Sequence, residues 1–364
     1  MIGTRPATAI VTGAGGQDGY FLTARLLTEQ STVHAVLRPG ADAAELRALP
    51  GRGRLVVHEL DLEDGAGLRL LIGSVGPDEL YNLAGVSSVR RSFEDPAAAW
   101  RANAEAVQAI LEAVRMKSPH TRLYQASSTD MFGATPGAAV VHDERSPLRP
   151  QSPYAAAKAA AHVMCGAYRR AFALRVACGI LSNHESRRRP GGFLTRQVVD
   201  HVREVRRCVS TGTPPEPMRI GNLASQRDWG FAPDYVDGIV RIIRQVSVRA
   251  EVAKTSPAPD TADLYRDYVL GTGQLHAVWQ LVDRAFALGG VPLRWDRSSS
   301  DPSSWSARLA ESGQPAVVVD PARLRPADPS AVGTDPTDAF RELGWRPRIG
   351  LNGFLTDMLD ADLA

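Results

Sequence analysis

Tyr154 and Lys158 form the pair of residues whose types and spacing point most directly to chemistry. They lie four positions apart in the stretch SPYAAAK (152–158), where a predicted helix would place both side chains on one face. A phenol ordinarily has a pKa near ~10, and a neighbouring ammonium lowers it toward the range in which the phenolate acts as a base. Lysine is also rare here, with three among the 42 basic residues. The spacing therefore predicts a base and its cationic partner, and the alternative is an ordinary pair on a helix surface.

Ser128 and Asp130 lie where the predicted strand RLYQASS (122–128) ends. The carboxyl ends of strands in an open α/β sheet are where such proteins bind ligands, so a hydroxyl at that edge can reach a bound substrate. A strand-end hydroxyl also commonly caps the next helix, which is the alternative interpretation. Together with Tyr154 and Lys158, Ser128 is predicted to be the third catalytic residue.

A glycine-rich turn follows the first predicted strand. In TGAGGQDG (12–19), Gly13, Gly16 and Gly19 have the spacing GxxGxxG between that strand and the first predicted helix. Glycine is needed there because a side chain would block the approach of a pyrophosphate to the helix N-terminus. The motif predicts a dinucleotide site. We also assign to this site Gln17 and Asp18 of the motif, Leu83 and Ala84 of the stretch YNLAG (81–85), and Tyr154 and Lys158, whose ammonium can hydrogen-bond the nicotinamide ribose.

Residues at the ends of the next two strands indicate which dinucleotide binds. The second strand ends in Val36, Leu37 and Arg38, with arginine where an NAD-specific site would hold an acidic residue against the ribose hydroxyl. Arg38 therefore favours a 2′-phosphate, and hence NADP, over the alternative of a solvated surface arginine. Asp61 and Leu62, after the third strand, suit a contact with adenine, although an acidic residue there could equally cap the next helix.

These residues need a scaffold in which strands and helices alternate. Short apolar runs separated by helical periodicity continue from the first strand to Leu181, with helices at about 97–116 and 153–172. This alternation predicts an α/β protein with a Rossmann-type doubly wound parallel sheet and a smaller C-terminal substrate-binding lobe.

The alternating pattern is lost after Leu181, where a polar, glycine-rich stretch begins. We therefore predict that residues 1–182 form the NADP-binding domain, to which residues 228–250 return. Residues 183–364 are predicted to form mainly the substrate-binding lobe.

The composition excludes several classes of function. A net charge of +2, from 42 Lys+Arg against 40 Asp+Glu, offers no basic stripe for nucleic acid. No run approaches the ~20 apolar residues that span a bilayer, and the N-terminus lacks the features of a signal peptide, so we expect a cytoplasmic protein with no membrane partner. The three cysteines, Cys165, Cys178 and Cys208, are widely spaced and lack CxxC, so we expect neither disulfides nor a metal site.

Longer stretches of the sequence resemble the GDP-mannose 4,6-dehydratase family, within the extended short-chain dehydrogenase/reductase superfamily. The strings NHES (183–186) and GNLASQRDWGFAPDYV (221–236) are specific to this family within the superfamily. The similar stretches run nearly end to end and include TGAGGQDGYFL (12–22), VRRSFEDP (89–96), LYQASSTDMFG (123–133), SPYAAAK (152–158), VLGTGQLHAV (269–278) and LGWRP (343–347).

The resemblance implies a nucleotide-sugar 4,6-dehydratase that acts on GDP-mannose or a related sugar nucleotide and yields a 4-keto-6-deoxy sugar. It implies a tightly bound, recycled NADP and a homodimer or homotetramer. It makes Tyr154 and Lys158 the catalytic dyad. Ser128 stands where the family usually has threonine, and Asp130 where it usually has the glutamate that acts on carbon 5. The implied substrate-binding residues, with the arginines as clamps for the pyrophosphate, are Ser87, Asn183, Arg227 and Arg325.

Two other functions stay open at this point. A 4-epimerase, or another modification of a nucleotide sugar, would use Tyr154, Lys158 and Ser128 but would need no base at position 130. A catalytically silent protein that binds a nucleotide sugar or NADP would need no base at all, and the intact Tyr154/Lys158 pair argues against it.

Overall fold

In a computed structural model, which describes residues 7–51, 53–134, 139–253, 265–324 and 331–361, the predicted alternation of strands and helices forms a parallel sheet. The strands of the described residues are β1 (Thr8–Thr12), β2 (Thr32–Leu37), β3 (Arg54–Glu59), β4 (Glu79–Asn82), β5 (Arg122–Ser128), β6 (Ala139–His142), β7 (Val176–Leu181), β8 (Asn183–Glu185), β9 (Met218–Ile220), β10 (Gln226–Phe231), β11 (Tyr268–Leu270), β12 (Leu275–Ala277), β13 (Leu293–Asp296), β14 (Ser306–Leu309), β15 (Pro315–Val319) and β16 (Ala331–Thr334).

The α-helices cover both faces of that sheet, and three of them pack together in a second lobe. They are α1 (Gln17–Thr28), α2 (Ala44–Arg47), α3 (Gly65–Val75), α4 (Val89–Glu94), α5 (Pro96–Trp100), α6 (Ala106–Lys117), α7 (Pro153–Phe172), α8 (Leu194–Thr211), α9 (Ala232–Ala253), α10 (Val278–Leu288), α11 (Thr337–Glu342) and α12 (Leu351–Asp360). Within the described part of the chain, no helix combines the length and the apolar character needed to cross a membrane.

The main sheet has the strand order β11-β7-β5-β4-β1-β2-β3, and neighbouring strands pair in parallel. The predicted Rossmann-type doubly wound sheet is therefore confirmed. Its strands are apolar and largely buried because helices cover both faces. The order of the strands reverses beside β1, so a crevice opens outside the carboxyl ends of β1 and β4, where ligands bind in folds of this kind.

Two elements from the C-terminal half belong to this layer. Helix α9 packs against α1, and its Tyr235, Ile239 and Ile243 share a buried cluster with Leu22 and Leu26. Strand β11 pairs with β7 at the outer edge of the sheet. Strand β11 is not predictable from the sequence, because a run of three apolar residues carries too little periodicity to identify a strand.

The second lobe surrounds its own apolar core. Helices α8, α10 and α12 bury Val202, Leu281, Phe286 and Phe354 in one cluster. A four-stranded sheet in the order β13-β14-β15-β9 adds Val317 to that core. A further sheet, β12-β10-β16-β6 with β8 beside β10, carries two of the predicted substrate residues on adjacent strands.

The helix predicted at about 97–116 is interrupted. Helices α5 and α6 flank a π-helical turn at Arg101–Glu105. Asn103 in this turn donates its side-chain amide to the carbonyls of Ala99, at 2.9 Å, and Val86, at 3.1 Å. The turn widens the helix there and directs Asn103 to the loop after β4, which the apolar periodicity alone does not reveal.

Candidate active site

Tyr154 and Lys158 lie in the first two turns of α7 because Ser152 and Pro153 start the helix just before them. Ser152 Oγ accepts a hydrogen bond of 3.1 Å from a backbone N–H of the first turn, and Pro153 occupies a position that needs no amide hydrogen. Both side chains are buried, each 7% exposed. Lys158 Nζ donates to the carbonyl of Ala126 at 2.9 Å and lies 5.9 Å from the centre of the Tyr154 ring. The structure therefore brings the two predicted residues together on one helix face.

Ser128 and Asp130 meet Tyr154 at the carboxyl end of β5. The Ser128 hydroxyl accepts a hydrogen bond of 3.2 Å from the backbone N–H of Asp130 and is also hydrogen-bonded to the Tyr154 side chain. Asp130 is exposed in the short 3-10 turn Thr129–Phe132, where its charge acts on Tyr154. Ser128 thus caps this turn, as the alternative interpretation has it, and contacts the phenol as well.

The expectation that the Tyr154 pKa is lowered is wrong for this arrangement. Burial raises the pKa of the phenol and the charge of Asp130 raises it further, while the hydrogen bond with Ser128 and the charge of Arg189 oppose them. Burial also lowers the pKa of Lys158 to about 8. Tyr154 is therefore held as the neutral phenol, and the charge of Asp130 opposes its ionisation.

A row of buried polar side chains connects the glycine turn with Lys158. Thr12, Asn82 and Gln125 occupy paired positions of β1, β4 and β5. Thr12 Oγ1 donates to Asn82 Oδ1 at 2.6 Å, and Asn82 Nδ2 donates to Gln125 Oε1 at 2.7 Å. Gln125 Nε2 donates at 2.9 Å to the Ala126 carbonyl, which also accepts from Lys158. Sequence reasoning missed this row, and the available signal was a polar residue near the end of each of three apolar strands.

The glycine turn lies against the loop after β4 and leaves no room for side chains. Gly13 has a φ of 69°, and a Cβ there would lie 2.8 Å from the backbone nitrogen of Ala84. A Cβ on Gly19 would lie 2.2 Å from the Gly13 carbonyl oxygen. The turn leads into α1, a helix of twelve residues. The backbone N–H groups of the turn and the positive end of the helix dipole can therefore bind the negatively charged pyrophosphate of a dinucleotide.

Gly19→Ala is expected to destabilise the protein by about 1–3 kcal/mol, because the added methyl group meets backbone that cannot move independently. Urea unfolding would measure the loss, and binding of a nicotinamide dinucleotide would fall with it. Gly191→Ala is the matched control, since a Cβ there has no neighbour within 4 Å. Equal stability of the two variants would contradict this account of the turn.

Gln17 and Asp18, which the sequence analysis assigns to the cofactor site, direct their side chains to β8. Gln17 Nε2 donates to the carbonyl of His184 at 2.9 Å, and Asp18 Oδ2 lies 2.8 Å from His184 Nε2. Both side chains are therefore engaged within the protein, so a bound dinucleotide would meet mainly the backbone of these two residues.

The residues expected around the nucleoside lie in the segments that follow three strands of the main sheet, β2, β3 and β4. They are Arg38, exposed directly after β2; Leu62, partly buried after β3; and Leu83 and Ala84, partly buried after β4. Asp61 Oδ1 accepts a hydrogen bond of 3.0 Å from a backbone N–H two residues further on, whereas Asp64 caps α3. The alternative role of Asp61 as the helix cap is therefore filled by another residue.

The predicted substrate residues lie on β8, β10 and the loop after β4. Asn183 is exposed on β8, and Arg227 lies on the neighbouring β10 with Nη1 donating to Ser225 Oγ at 2.5 Å. Ser87 is exposed in the loop after β4. Arg325, the second predicted pyrophosphate clamp, lies outside the described residues.

Arg189 lies near this site and was missed as a functional candidate, although it belongs to the densest basic cluster of the sequence. Its guanidinium pairs with Glu185 at 3.0 Å and lies 3.8 Å from the centre of the Phe193 ring. Its positive charge acts to lower the pKa of Tyr154, against the effects of burial and Asp130. Arg189 therefore joins the groups that set the protonation state of the phenol.

A buried polar cluster lies behind β5 and contains three potential metal ligands, His162, Cys178 and Asp267, whose ligand atoms lie within 4.8 Å of one another. Asp267 already accepts hydrogen bonds from Arg169 and, at 2.7 Å, from the backbone N–H of Cys178. His162 Nδ1 is 3.1 Å from Ser127 Oγ. These contacts join α7 to β5 and β7, and we assign the cluster a structural role.

Comparison with known proteins covers nearly the whole chain. The family profile described as GDP-mannose 4,6 dehydratase matches residues 10–358. GDP-mannose 4,6 dehydratase 2 of Arabidopsis thaliana is 34% identical over 98% of this chain and 86% of its own length. A GDP-mannose 4,6-dehydratase of Sordaria araneosa is 31% identical over 99% of this chain, which spans 61% of that protein. A UDP-glucose 4-epimerase structure from Stenotrophomonas maltophila matches with a TM-score of 0.76 and 18% identity over 98% of both chains, a likeness of fold.

Proposed function

Because the chain belongs to the GDP-mannose 4,6-dehydratase family, we propose that it is a nucleotide-sugar 4,6-dehydratase acting on GDP-mannose or a close relative. The product would be a 4-keto-6-deoxy sugar. The observation that carries the proposal is the meeting of Ser128, Asp130 and Tyr154 at the carboxyl end of β5, which offers two proton-transfer groups and a hydroxyl to one sugar ring.

The first role in this proposal belongs to Tyr154, which accepts the proton of the hydroxyl on sugar carbon 4. The phenol must first lose its own proton, and the hydrogen bond with Ser128 and the charge of Arg189 favour that loss against burial and Asp130. Ser128 donates a hydrogen bond to the same sugar oxygen. When bound, a nicotinamide dinucleotide would supply the acceptor for the hydride that leaves carbon 4 and later the donor of that hydride to carbon 6, while carbon 5 regains a proton from solvent-exchangeable positions.

The second role belongs to Asp130. Once carbon 4 is a ketone, the hydrogen on carbon 5 becomes acidic, and the Asp130 carboxylate removes it as a proton. The same carboxyl group then gives a proton to the hydroxyl that leaves carbon 6 as water. Because Asp130 is exposed at the mouth of the site, it can reach a substrate atom that the buried Tyr154 does not contact.

We further propose that the cofactor is NADP, held tightly and recycled. Support comes from Arg38, which is exposed directly after β2 where an acidic residue would select NAD. Arg38→Ala is expected to weaken NADP binding about tenfold and to leave NAD binding unchanged, because only NADP carries the 2′-phosphate. Calorimetric titration with both dinucleotides measures this, with Arg69→Ala on the exposed face of α3 as control. If only NAD is extracted from the native protein, Arg38 has another role.

Arg227 is proposed to hold the substrate pyrophosphate beside Asn183. Arg227→Ala is expected to weaken binding of GDP by about 10- to 150-fold, which corresponds to about 1.5–3 kcal/mol for charge-assisted hydrogen bonds. Cofactor affinity should stay within twofold. Arg207→Ala, which removes a surface arginine paired with Glu204, is the matched control. Unchanged GDP affinity in Arg227→Ala would return this residue to a structural role.

A panel of nucleotide sugars led by GDP-mannose tests the proposed function. Mass spectrometry of the products separates loss of water from isomerisation and from no reaction. Loss of water from one member of the panel supports a dehydratase. An isomer of unchanged mass would point to the epimerase alternative.

A further inference from the structure

The first turn of α1 and strand β8 are joined by a buried set of side chains that the proposed chemistry does not use. Gln17 Nε2 donates to the His184 carbonyl at 2.9 Å, and Ser186 Oγ donates to Gln17 Oε1 at 2.9 Å. Asp18 Oδ2 lies 2.8 Å from His184 Nε2. The predicted cofactor turn leads into α1, and β8 carries Asn183.

His184 is charged in this arrangement, as its two partners show. Its Nδ1 lies 2.7 Å from the carbonyl oxygen of Ser182, and its Nε2 lies 2.8 Å from the Asp18 carboxylate. Both partners can only accept, so both ring nitrogens carry hydrogen. Burial lowers the pKa of His184, but the charge and hydrogen bond of Asp18 outweigh burial and leave that pKa raised.

Packing holds the imidazolium in one orientation. The ring of His184 stacks on Tyr235 of α9, with centroids 4.5 Å apart and planes 20° apart, and Tyr235 Oη lies 2.6 Å from Ser182 Oγ. His184 is 9% exposed, so moving Asp18 away would leave a buried, unpaired cation. The position of α1 and the position of β8 are therefore fixed together.

The position of His184 is connected to the proposed substrate residues through strands β8 and β10. Asn183 immediately precedes His184, and both are in register with β10, where Asn183 pairs with Trp229 and His184 with Gly230. Arg227 lies two residues before Trp229 on the same strand. A shift of the cofactor turn would thus be transmitted through Asp18 and His184 to Asn183 and Arg227.

We propose that the Asp18–His184 pair is a positioning link that makes binding of the dinucleotide and binding of the nucleotide sugar mutually cooperative. This rests on the proposed function, which assigns the two ligands to the two ends of the link. Coupling of this kind is reciprocal, so each ligand tightens the other by the same factor.

The test measures GDP affinity by calorimetry in protein stripped of cofactor and in protein saturated with NADPH. In the wild type, NADPH is expected to tighten GDP binding at least about fivefold. Asp18→Asn keeps the shape of the side chain and removes its charge, and it is expected to reduce this factor to about one. The ratio is used because Asp18 lies beside the cofactor turn, so either affinity alone could change for a local reason.

Two further variants keep the test decisive. Ser186→Ala removes the neutral hydrogen bond to Gln17, together with one that Ser186 Oγ accepts from the backbone N–H of Arg188, and should give an intermediate factor even if Asp18→Asn folds poorly. Asp237→Asn removes a different ion pair of α1, to Arg25 at 2.5 Å, and should keep the wild-type factor. If both ligands bind the wild type independently, or if Asp18→Asn retains full coupling, the link is refuted and the proposed function stands. If neither ligand binds the wild type, both the proposed function and the positioning link are refuted.

Discussion

Tyr154→Phe is expected to lower kcat by about 10²–10⁴-fold, the contribution of a positioned proton-transfer group. Phenylalanine fills the same buried space, so the variant should fold, and substrate binding should change little because the ring remains. Steady-state kinetics with the sugar nucleotide identified by the substrate panel measures the loss. Urea unfolding of the same protein preparation verifies the fold.

Tyr168→Phe is the matched control for this variant. Tyr168 lies on the same helix, and its hydroxyl donates to Glu112 at 2.7 Å, so the substitution also removes one phenol hydrogen bond. Wild-type kcat is expected for Tyr168→Phe. Near-normal turnover by folded Tyr154→Phe would rule out the role proposed for Tyr154.

Asp130→Asn is expected to stop the loss of water while leaving oxidation at carbon 4 in place. An amide cannot take the proton from carbon 5, but it keeps the size of the side chain and the backbone turn in which it lies. Single-turnover analysis should show the 4-keto sugar formed with its carbon-6 hydroxyl intact. Loss of water at the wild-type rate would refute the assignment.

The same variant should also change the pH dependence of the first step. The Asp130 charge raises the pKa of Tyr154, so its removal lowers that pKa and makes the phenolate available at lower pH. The rising limb of the pH profile for oxidation should therefore move to lower pH. Asp130→Glu, which restores the residue usual in the family, should keep or raise dehydration.

The sequence was sufficient where the chemistry depends on local spacing. Tyr154 and Lys158 are one helical turn apart, so a correct helix assignment places them together. The spacing of the glycine turn is equally local, and Gly19 is required by contacts with the backbone of Gly13 and Ala14, although the contact that requires Gly13 is with Ala84 in the loop after β4. The parallel sheet could be predicted because apolar strands and helical segments alternate over nearly half the chain.

The sequence was insufficient where contacts join distant segments. Gln17 and Asp18 meet His184 across more than 160 positions, so nothing near them indicates that their side chains face inward. The pKa of Tyr154 depends on burial and on Asp130, which act through the folded site, so spacing to Lys158 gave the wrong direction. The polar row through Asn82 and Gln125 likewise exists only once β1, β4 and β5 are paired in register.

Deuterium at carbon 5 of the product is the most direct test of the central claim. A reaction run in heavy water with the wild-type protein and its sugar nucleotide, analysed by mass spectrometry and NMR, should give a dehydrated 4-keto product that carries solvent deuterium at carbon 5. That result is predicted because the Asp130 carboxylate removes the carbon-5 hydrogen and solvent-exchangeable protons replace it. A product that has lost no water, or that carries no deuterium at carbon 5, would contradict the assignment of this protein as a 4,6-dehydratase.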